Sequence, residues 1–316
     1  MKIVILDNFT LNPGDLDDSA LGSLGQVTSY DRTPVSDILT RAHGADILLT
    51  NKTPLTRTTL SQLPQLKYIG VLATGTNVVD VQAAKDLDVV VTNVPGYGPD
   101  AVAQMVFAHI LHHSQQLAQH DSAVKAGAWS QAADFCFTLA PLQSLKGKTL
   151  GLIGFGDIGQ QVARIAQAFD MKVLVHTRHP RLELPAGIAW CSLESLLTHA
   201  DIISLHCPLT PQTDQFINAT MLALLKPGAL LINTARGGLI DEQALADALN
   251  QGRIFAGVDV LSSEPPAADN PLLTAANISI SPHNAWATLE ARQNLLNIAV
   301  ANLQAFLAGK VLNRIN

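Results

Sequence analysis

Short apolar runs recur along the chain, with amphipathic stretches between them. In the first third, runs at 2–6, 27–30, 46–50, 68–71 and 89–92 predict strands, and periodic stretches at 35–42 and 81–87 predict helices. The rhythm resumes with strand-like runs at 149–153, 172–175, 202–205, 229–232, 256–260 and 278–281. Apolar runs this short, without polar alternation and with helical patterns between, read as parallel strands covered on both faces. Two segments break the rhythm. Residues 93–100, NVPGYGPD, form a loop rich in glycine and proline, and Pro99-Asp100 suits a helix start. The helix that follows reaches about His113 or extends to His120. Residues 126–148 carry Trp129, Phe135 and Phe137 with no clear period and read as an irregular arm, either a dimer contact or a loop packed on its own domain. A last helix fits 287–307, ended by Gly309.

Composition narrows the class. A length of 316 residues makes two domains the prior. With 47% hydrophobic and 15% charged residues, the chain is not disordered, collagenous or a coiled coil. A net charge of -6 with scattered Lys and Arg leaves no footprint for nucleic acid or an anionic membrane. Cys136, Cys191 and Cys207 are far apart and form no CxxC, which argues against disulfides and a metal site and for a reducing compartment. The first apolar run stops at Asp7, and no stretch approaches the ~20 apolar residues of a membrane span. The expectation is a cytoplasmic protein with no membrane partner.

The first sharp chemical signal is TLGLIGFGDIGQQVARIAQAF, where Gly154, Gly156 and Gly159 make G-x-G-x-x-G between a strand and a helix. Such glycines allow a tight turn, close approach to a pyrophosphate and close helix–strand packing, with the anion on the helix N-terminus. The turn, with Asp157 and Ile158 inside it, is a candidate dinucleotide site; the bland reading is a structural turn. The next strand ends in KVLVHTRHPR. An NAD site wants an acid there for the ribose 2′-hydroxyl. Thr177 stands where the acid is expected and Arg178 follows, which removes a repulsion for a 2′-phosphate and adds a planar cation. The expectation is NADP(H) over NAD(H), unless Arg178 points to solvent.

Three further segments carry ionisable groups at strand ends: NTARGG with Arg236, GVDVLSSEPP with Asp259 and Glu264, and SPHNAW with His283. Their chemistry fits reduction of a 2-oxo acid. Arg236 binds the carboxylate and polarises the carbonyl, His283 exchanges the proton, and Glu264 holds the second ring nitrogen. The bland alternatives are a surface ion pair, a cap and a satisfied polar histidine.

These segments, in register behind GFGDIG, resemble the D-2-hydroxyacid dehydrogenase family over essentially the whole chain. ATGTNVVDVQAA, VTNVPGYGPDAVAQ and WSQAADFCF are similar to its glycerate dehydrogenase (hydroxypyruvate or glyoxylate reductase) branch. The resemblance implies two Rossmann-like, doubly wound parallel-sheet α/β domains with the active site in the cleft between them. One is a flavodoxin-like substrate domain, 1–98 plus 287–316. The other is a dinucleotide-binding domain, 99–286, with a dimerisation arm at about 121–148 and a homodimer as the assembly. It implies the catalytic trio Arg236, Glu264 and His283, and substrate contacts from Thr74, Gly75 and Trp286. It sets Cys207, Pro208, Thr234, Ala235 and Asp259 around the nicotinamide and its ribose. The implied reaction is hydride transfer between NAD(P)H and C2 of a small 2-oxo acid, hydroxypyruvate or glyoxylate first. Alternatives are another D-2-hydroxy acid or a non-catalytic dinucleotide sensor of the same fold. Two positions depart from the family pattern: Asp157, where a basic residue often sits, and Thr177-Arg178.

Overall fold

The computed structural model describes residues 1–181 and 183–316 and divides the chain into two units, Met1–Gly98 with Trp286–Asn316, and Pro99–Ala285. In the first unit the apolar runs become β1 (Lys2–Ile5), β2 (Gln26–Ser29), β3 (Ile47–Thr50), β4 (Tyr68–Val71) and β5 (Val90–Thr92). They form one parallel sheet in the order β2-β1-β3-β4-β5. Successive side chains point to opposite faces, so each central strand feeds two cores. Val4, Leu48 and Ile69 pack with Ala42, Ala83 and Ala84 from the helices Ile38–Ala42 and Val81–Asp86. Ile3, Ile5, Ile47, Leu49 and Tyr68 pack on the other face with Leu295, Leu296, Ala299 and Leu303.

Those four residues belong to the helix Leu289–Leu307, which returns from the end of the chain to the first unit. Thr288 caps it by accepting from the Ala291 N–H. Arg292, nearly buried on this helix, donates to both carboxylate oxygens of Asp15 (2.7 and 2.6 Å) and to the Leu11 carbonyl (2.9 Å), so its charge enters the protein fully paired.

The second unit opens with the helix Pro99–Gln115. Its strands are β6 (Thr149–Ile153), β7 (Lys172–His176), β8 (Ile188–Trp190), β9 (Ile202–Leu205), β10 (Leu230–Asn233), β11 (Phe255–Val258) and β12 (Ile278–Ile280). The order β12-β11-β10-β9-β6-β7-β8 is parallel throughout. The chain lays β7 and β8 on one side of β6 and then crosses to β9. Ligands of open parallel sheets bind beyond the carboxyl ends of the strands at such a switch point.

Several elements differ from the sequence reading. The edge strand β8 is three residues long and only partly buried, too brief to show a period. The long helix stops at Gln115 because Gln116 takes a left-handed backbone (φ 50°), and a separate helix, Leu117–Lys125, follows. The short helices Arg57–Leu60 and Ala219–Ala223 lie in stretches the pattern leaves blank. Residues 126–148 contain no helix or strand. There Phe135 is 88% exposed, and Trp129 donates its indole N–H to the Phe135 carbonyl at 2.9 Å. Among the described residues, no helix is long and apolar enough to cross a membrane.

Candidate active site

Each glycine of the turn after β6 has a different reason. Gly154 has φ 102°, and a methyl group there would stand 2.5 Å from the His206 carbonyl oxygen at the end of β9. A methyl on Gly159 would stand 2.7 Å from the Gly154 carbonyl oxygen. Gly154 therefore lets the two strands of the switch point meet, and Gly159 lets the helix Asp157–Ala168 close on the turn. Gly156 caps that helix and is exposed, and a methyl there would meet nothing within 4 Å. No group among the described residues fills that space, so the turn has room beside the first-turn N–H groups for an anion. Asp157 and Ile158 follow in the first turn. Asp157 is exposed in that first turn, so it places a carboxylate where the helix dipole favours anions.

Thr177 and Arg178 follow β7. The Thr177 hydroxyl donates to the His179 carbonyl (2.7 Å), and Arg178 is exposed. Arg181 lies nearby, its guanidinium carbon 5.7 Å from the ring centre of Phe155, a residue of the glycine turn. Cys207 and Pro208 follow β9; burial pushes the Cys207 thiol up to about 11, which makes it a neutral packing group rather than a nucleophile. Thr234 and Ala235 follow β10, and the Thr234 hydroxyl is buried without a partner among the described residues. An open glycine turn and an orphaned buried hydroxyl, both at the carboxyl edge of one sheet, fit a nicotinamide dinucleotide.

Arg236, Glu264 and His283 lie beyond the carboxyl ends of the adjacent strands β10, β11 and β12. The turn bearing Arg236 is fixed by Asn233, which accepts from the Ala235 N–H (3.1 Å) and donates to the Arg236 carbonyl (2.9 Å). Arg236 itself is exposed and donates to the Ala235 carbonyl (2.7 Å). The next residue, Gly237, touches the backbone of Leu261, so the turn after β10 packs directly on the loop that carries Glu264.

Within that loop, Glu264 accepts from the Leu261 N–H through Oε1 (3.2 Å), and its Oε2 lies 2.5 Å from His283 Nδ1. Each side chain of the pair is 32% exposed, so the pair is neither sealed off nor freely solvated. A carboxylate only accepts, so Nδ1 carries the proton in this pair. His283 has a left-handed backbone (φ 50°), which a β-substituted residue adopts only when its surroundings impose it. Asp259 imposes it. The Asp259 carbonyl accepts from the His283 N–H (2.7 Å), and the carboxylate accepts from the N–H groups of Asn284 and Ala285 (3.0 Å each) and from the Ser281 hydroxyl (2.6 Å). Burial raises the Asp259 carboxyl above its usual range, and these hydrogen bonds oppose the rise.

The remaining residues that the resemblance implies lie in the first unit. Thr74 donates to the Val94 carbonyl (2.9 Å), in the loop after β4 that also holds Gly75. Trp286 meets Tyr97 edge to face at 6.3 Å. Sequence reasoning passes over Asn233 and Ser281. An Asn just before a turn is a known local signal for an Asx-type bond, whereas nothing local distinguishes Ser281 from other serines.

A parallel sheet with a glycine-rich turn at its switch point, and a carboxylate-paired imidazole two strand ends from an exposed arginine, defines a dinucleotide-linked oxidoreductase. Residues 107–285 match the family described as D-isomer specific 2-hydroxyacid dehydrogenase, NAD binding domain. The chain is 45% identical to a hydroxypyruvate reductase of Blautia hydrogenotrophica over 100% of both proteins. It is 42% identical to a glycerate dehydrogenase of Methylorubrum extorquens, over 88% of this chain and 87% of the relative. Its fold is similar to an acyclic imino acid reductase solved with NADPH and D-Arg, at TM-score 0.86 and 33% identity over 100% of both chains. The chain belongs to the D-isomer specific 2-hydroxyacid dehydrogenases and is a hydride-transferring oxidoreductase acting on CH–OH donors.

Proposed function

We propose that this dehydrogenase reduces hydroxypyruvate and glyoxylate to D-glycerate and glycolate, prefers NADP(H) to NAD(H), and acts as a cytoplasmic homodimer. The observation that carries the chemical part is the 2.5 Å pair between His283 Nδ1 and Glu264, next to the turn that presents Arg236. A reduced nicotinamide, when bound, supplies the hydride for C2. The backbone N–H groups of Gly154, Gly156, Asp157, Ile158 and Gly159 would hold its diphosphate, against the repulsion of the Asp157 carboxylate; Cys207, Pro208, Thr234, Ala235 and Asp259 would surround the nicotinamide end.

In this reading Arg236 grips the substrate carboxylate and polarises the ketone with its fork of N–H donors. His283 gives its Nε2 proton to the ketone oxygen as C2 is reduced, and recovers a proton from water. Glu264 stabilises the imidazolium before that transfer and keeps Nδ1 protonated after it. Thr74 and Gly75 hold the substrate carboxylate through backbone N–H groups, and Trp286 borders the substrate.

The cofactor preference rests on Thr177-Arg178 in place of an acid, with Arg181 beside the turn as a second cation. The relatives' names support small 2-oxo acids as substrates. The exposed aromatics of 126–148 support an arm that covers a second copy. Three free cysteines fit a reducing compartment. The test is a panel of 2-oxo acids assayed with NADPH and NADH, with light scattering for the dimer. Highest kcat/KM for hydroxypyruvate with NADPH is expected. No turnover of any 2-oxo acid would replace catalysis with dinucleotide sensing.

A further inference from the structure

The helix Pro99–Gln115 carries three histidines, and the mechanism uses none of them. Two of the three, His109 and His113, face into the sheet. His109 is 5% exposed, and β11 makes room for it with Gly257, where a methyl group would stand 2.7 Å from the His109 Cβ. Its ring is bonded at both nitrogens: Nδ1 lies 2.7 Å from the Ser279 hydroxyl and Nε2 lies 3.1 Å from the Ser281 hydroxyl. His113 Nε2 continues the chain, 3.0 Å from Ser279 Oγ and 2.8 Å from the Ala256 carbonyl. At the other end Ser281 donates to Asp259, which holds the backbone on both sides of the His283 side chain.

The carboxylate sets the direction of this chain. Ser281 spends its proton on Asp259, so its oxygen accepts, and His109 donates from Nε2. Burial pushes His109 down to about 4, so at neutral pH the ring is uncharged and its Nδ1 accepts the Ser279 proton. Without the Nε2–H, the Ser281 hydroxyl has no second bond to choose its rotamer, and the Asp259 oxygen shared by Ser281 and the Asn284 N–H is free to turn. The backbone bonds from Asp259 to residues 283–285 remain, but the carboxylate that makes two of them is held less firmly, and the left-handed backbone of His283 loses one of its supports.

We propose that His109 is a positioning residue for the reaction: its Nε2–H, through Ser281 and Asp259, holds residues 283–285 and with them the aim of His283. This rests on the reading of His283 as the proton donor, and the experiment separates the two. Three variants of the full chain are compared with the native protein. His109→Leu fills the space without a donor, His109→Asn reaches only the Nδ1 position, and His109→Gln reaches the Nε2 position. With hydroxypyruvate and NADPH, the Leu and Asn variants are expected to lose about 10- to 100-fold in kcat, the scale of a misaimed catalytic group, with KM nearly unchanged. The Gln variant is expected to regain most of the native kcat.

In protein labelled with 15N at the histidine rings, the His283 nitrogen shifts, assigned with His283→Asn, are expected to move in the Leu and Asn variants and return in the Gln variant. An unchanged kcat in His109→Leu, or equal losses in all three that follow their melting temperatures, would overturn the proposal. If His109→Leu fails to fold, Ser281→Ala breaks the same chain and is expected to give the same loss. If the native protein reduces no 2-oxo acid, the proposed function fails and the ring shifts alone decide: identical His283 shifts in all four proteins overturn the positioning role.

Discussion

Adjacent glycines in the turn after β10 make opposite predictions. A methyl group on Gly237 would stand 1.9 Å from the Leu261 carbonyl carbon, 2.1 Å from its oxygen and 2.3 Å from the Ser262 nitrogen. All three are backbone atoms, so no side chain can swing away. Carbon atoms settle at about 3.5 Å, which requires the two segments to part by roughly 1.5 Å. Arg236 immediately precedes Gly237 and Glu264 follows Leu261 in the loop, so the separation yields within the site itself. A misplacement of about 1 Å costs on the order of 100-fold in rate, or about 2.7 kcal/mol of transition-state stabilisation. The three atoms nearest a methyl group on Gly238 all belong to side chains: Leu209, at 3.0 Å to Cδ2 and 3.4 Å to Cδ1, and Asp214, at 3.5 Å. Leu209 is exposed and able to rotate, so this change stays within about 0.5 kcal/mol, roughly a factor of two. The assay is kcat/KM for hydroxypyruvate with NADPH, alongside thermal melting to confirm that both variants fold. Gly237→Ala within tenfold of native activity, or equal losses in the two variants, would refute the reasoning.

Three more expectations concern proton transfer, cofactor choice and pH. His283→Ala should lose roughly 10²–10⁴-fold in kcat while still binding dinucleotide, the range for removal of a general acid–base group; steady-state kinetics with undiminished kcat would exclude His283. Arg178→Asp should move the ratio of kcat/KM values from NADPH toward NADH with kcat little changed, and an unaltered ratio would clear Arg178. Burial pushes His109, His113 and His206 down to about 4 from 6.5. Between those values the unfolded chain binds more protons than the folded one, so stability falls as pH drops from 6.5 toward 4. A denaturant midpoint at pH 5 equal to or above that at pH 7 would contradict this.

Much of the candidate site is legible because it depends on local rules. Gly154, Gly156 and Gly159 announce themselves by spacing, and each glycine has its own reason in the folded turn. Arg236, Glu264 and His283 stand just past apolar runs, which places them at one edge of a parallel sheet before the sheet is seen. Residue chemistry suggests that Glu264 holds the ring of His283, but the strand pairing that brings them together is not legible. Glu264 and His283 are brought to 2.5 Å by the pairing of β11 with β12, and the apolar composition of those strands carries no partner information. The edge strand β8 escapes because a three-residue, half-buried strand has too few positions to show a period. The left-handed Gln116 that splits the long helix escapes because nothing in a run of polar residues marks that backbone.

The sequence by itself determined the α/β class, the nucleotide turn and the residue types at the strand ends. Each follows from side-chain chemistry acting over a few neighbouring positions. The tertiary structure decided the order of the twelve strands among the described residues, which look alike in hydrophobicity. It also decided which of three neighbouring histidines reaches Ser281. These outcomes depend on contacts between residues far apart in the chain, where burial and hydrogen-bond satisfaction act only once the segments have met. His109 shows the difference plainly: in the sequence it is one polar residue on a helix, and in the fold it lies in a notch at Gly257 and bonds toward Asp259 through Ser281.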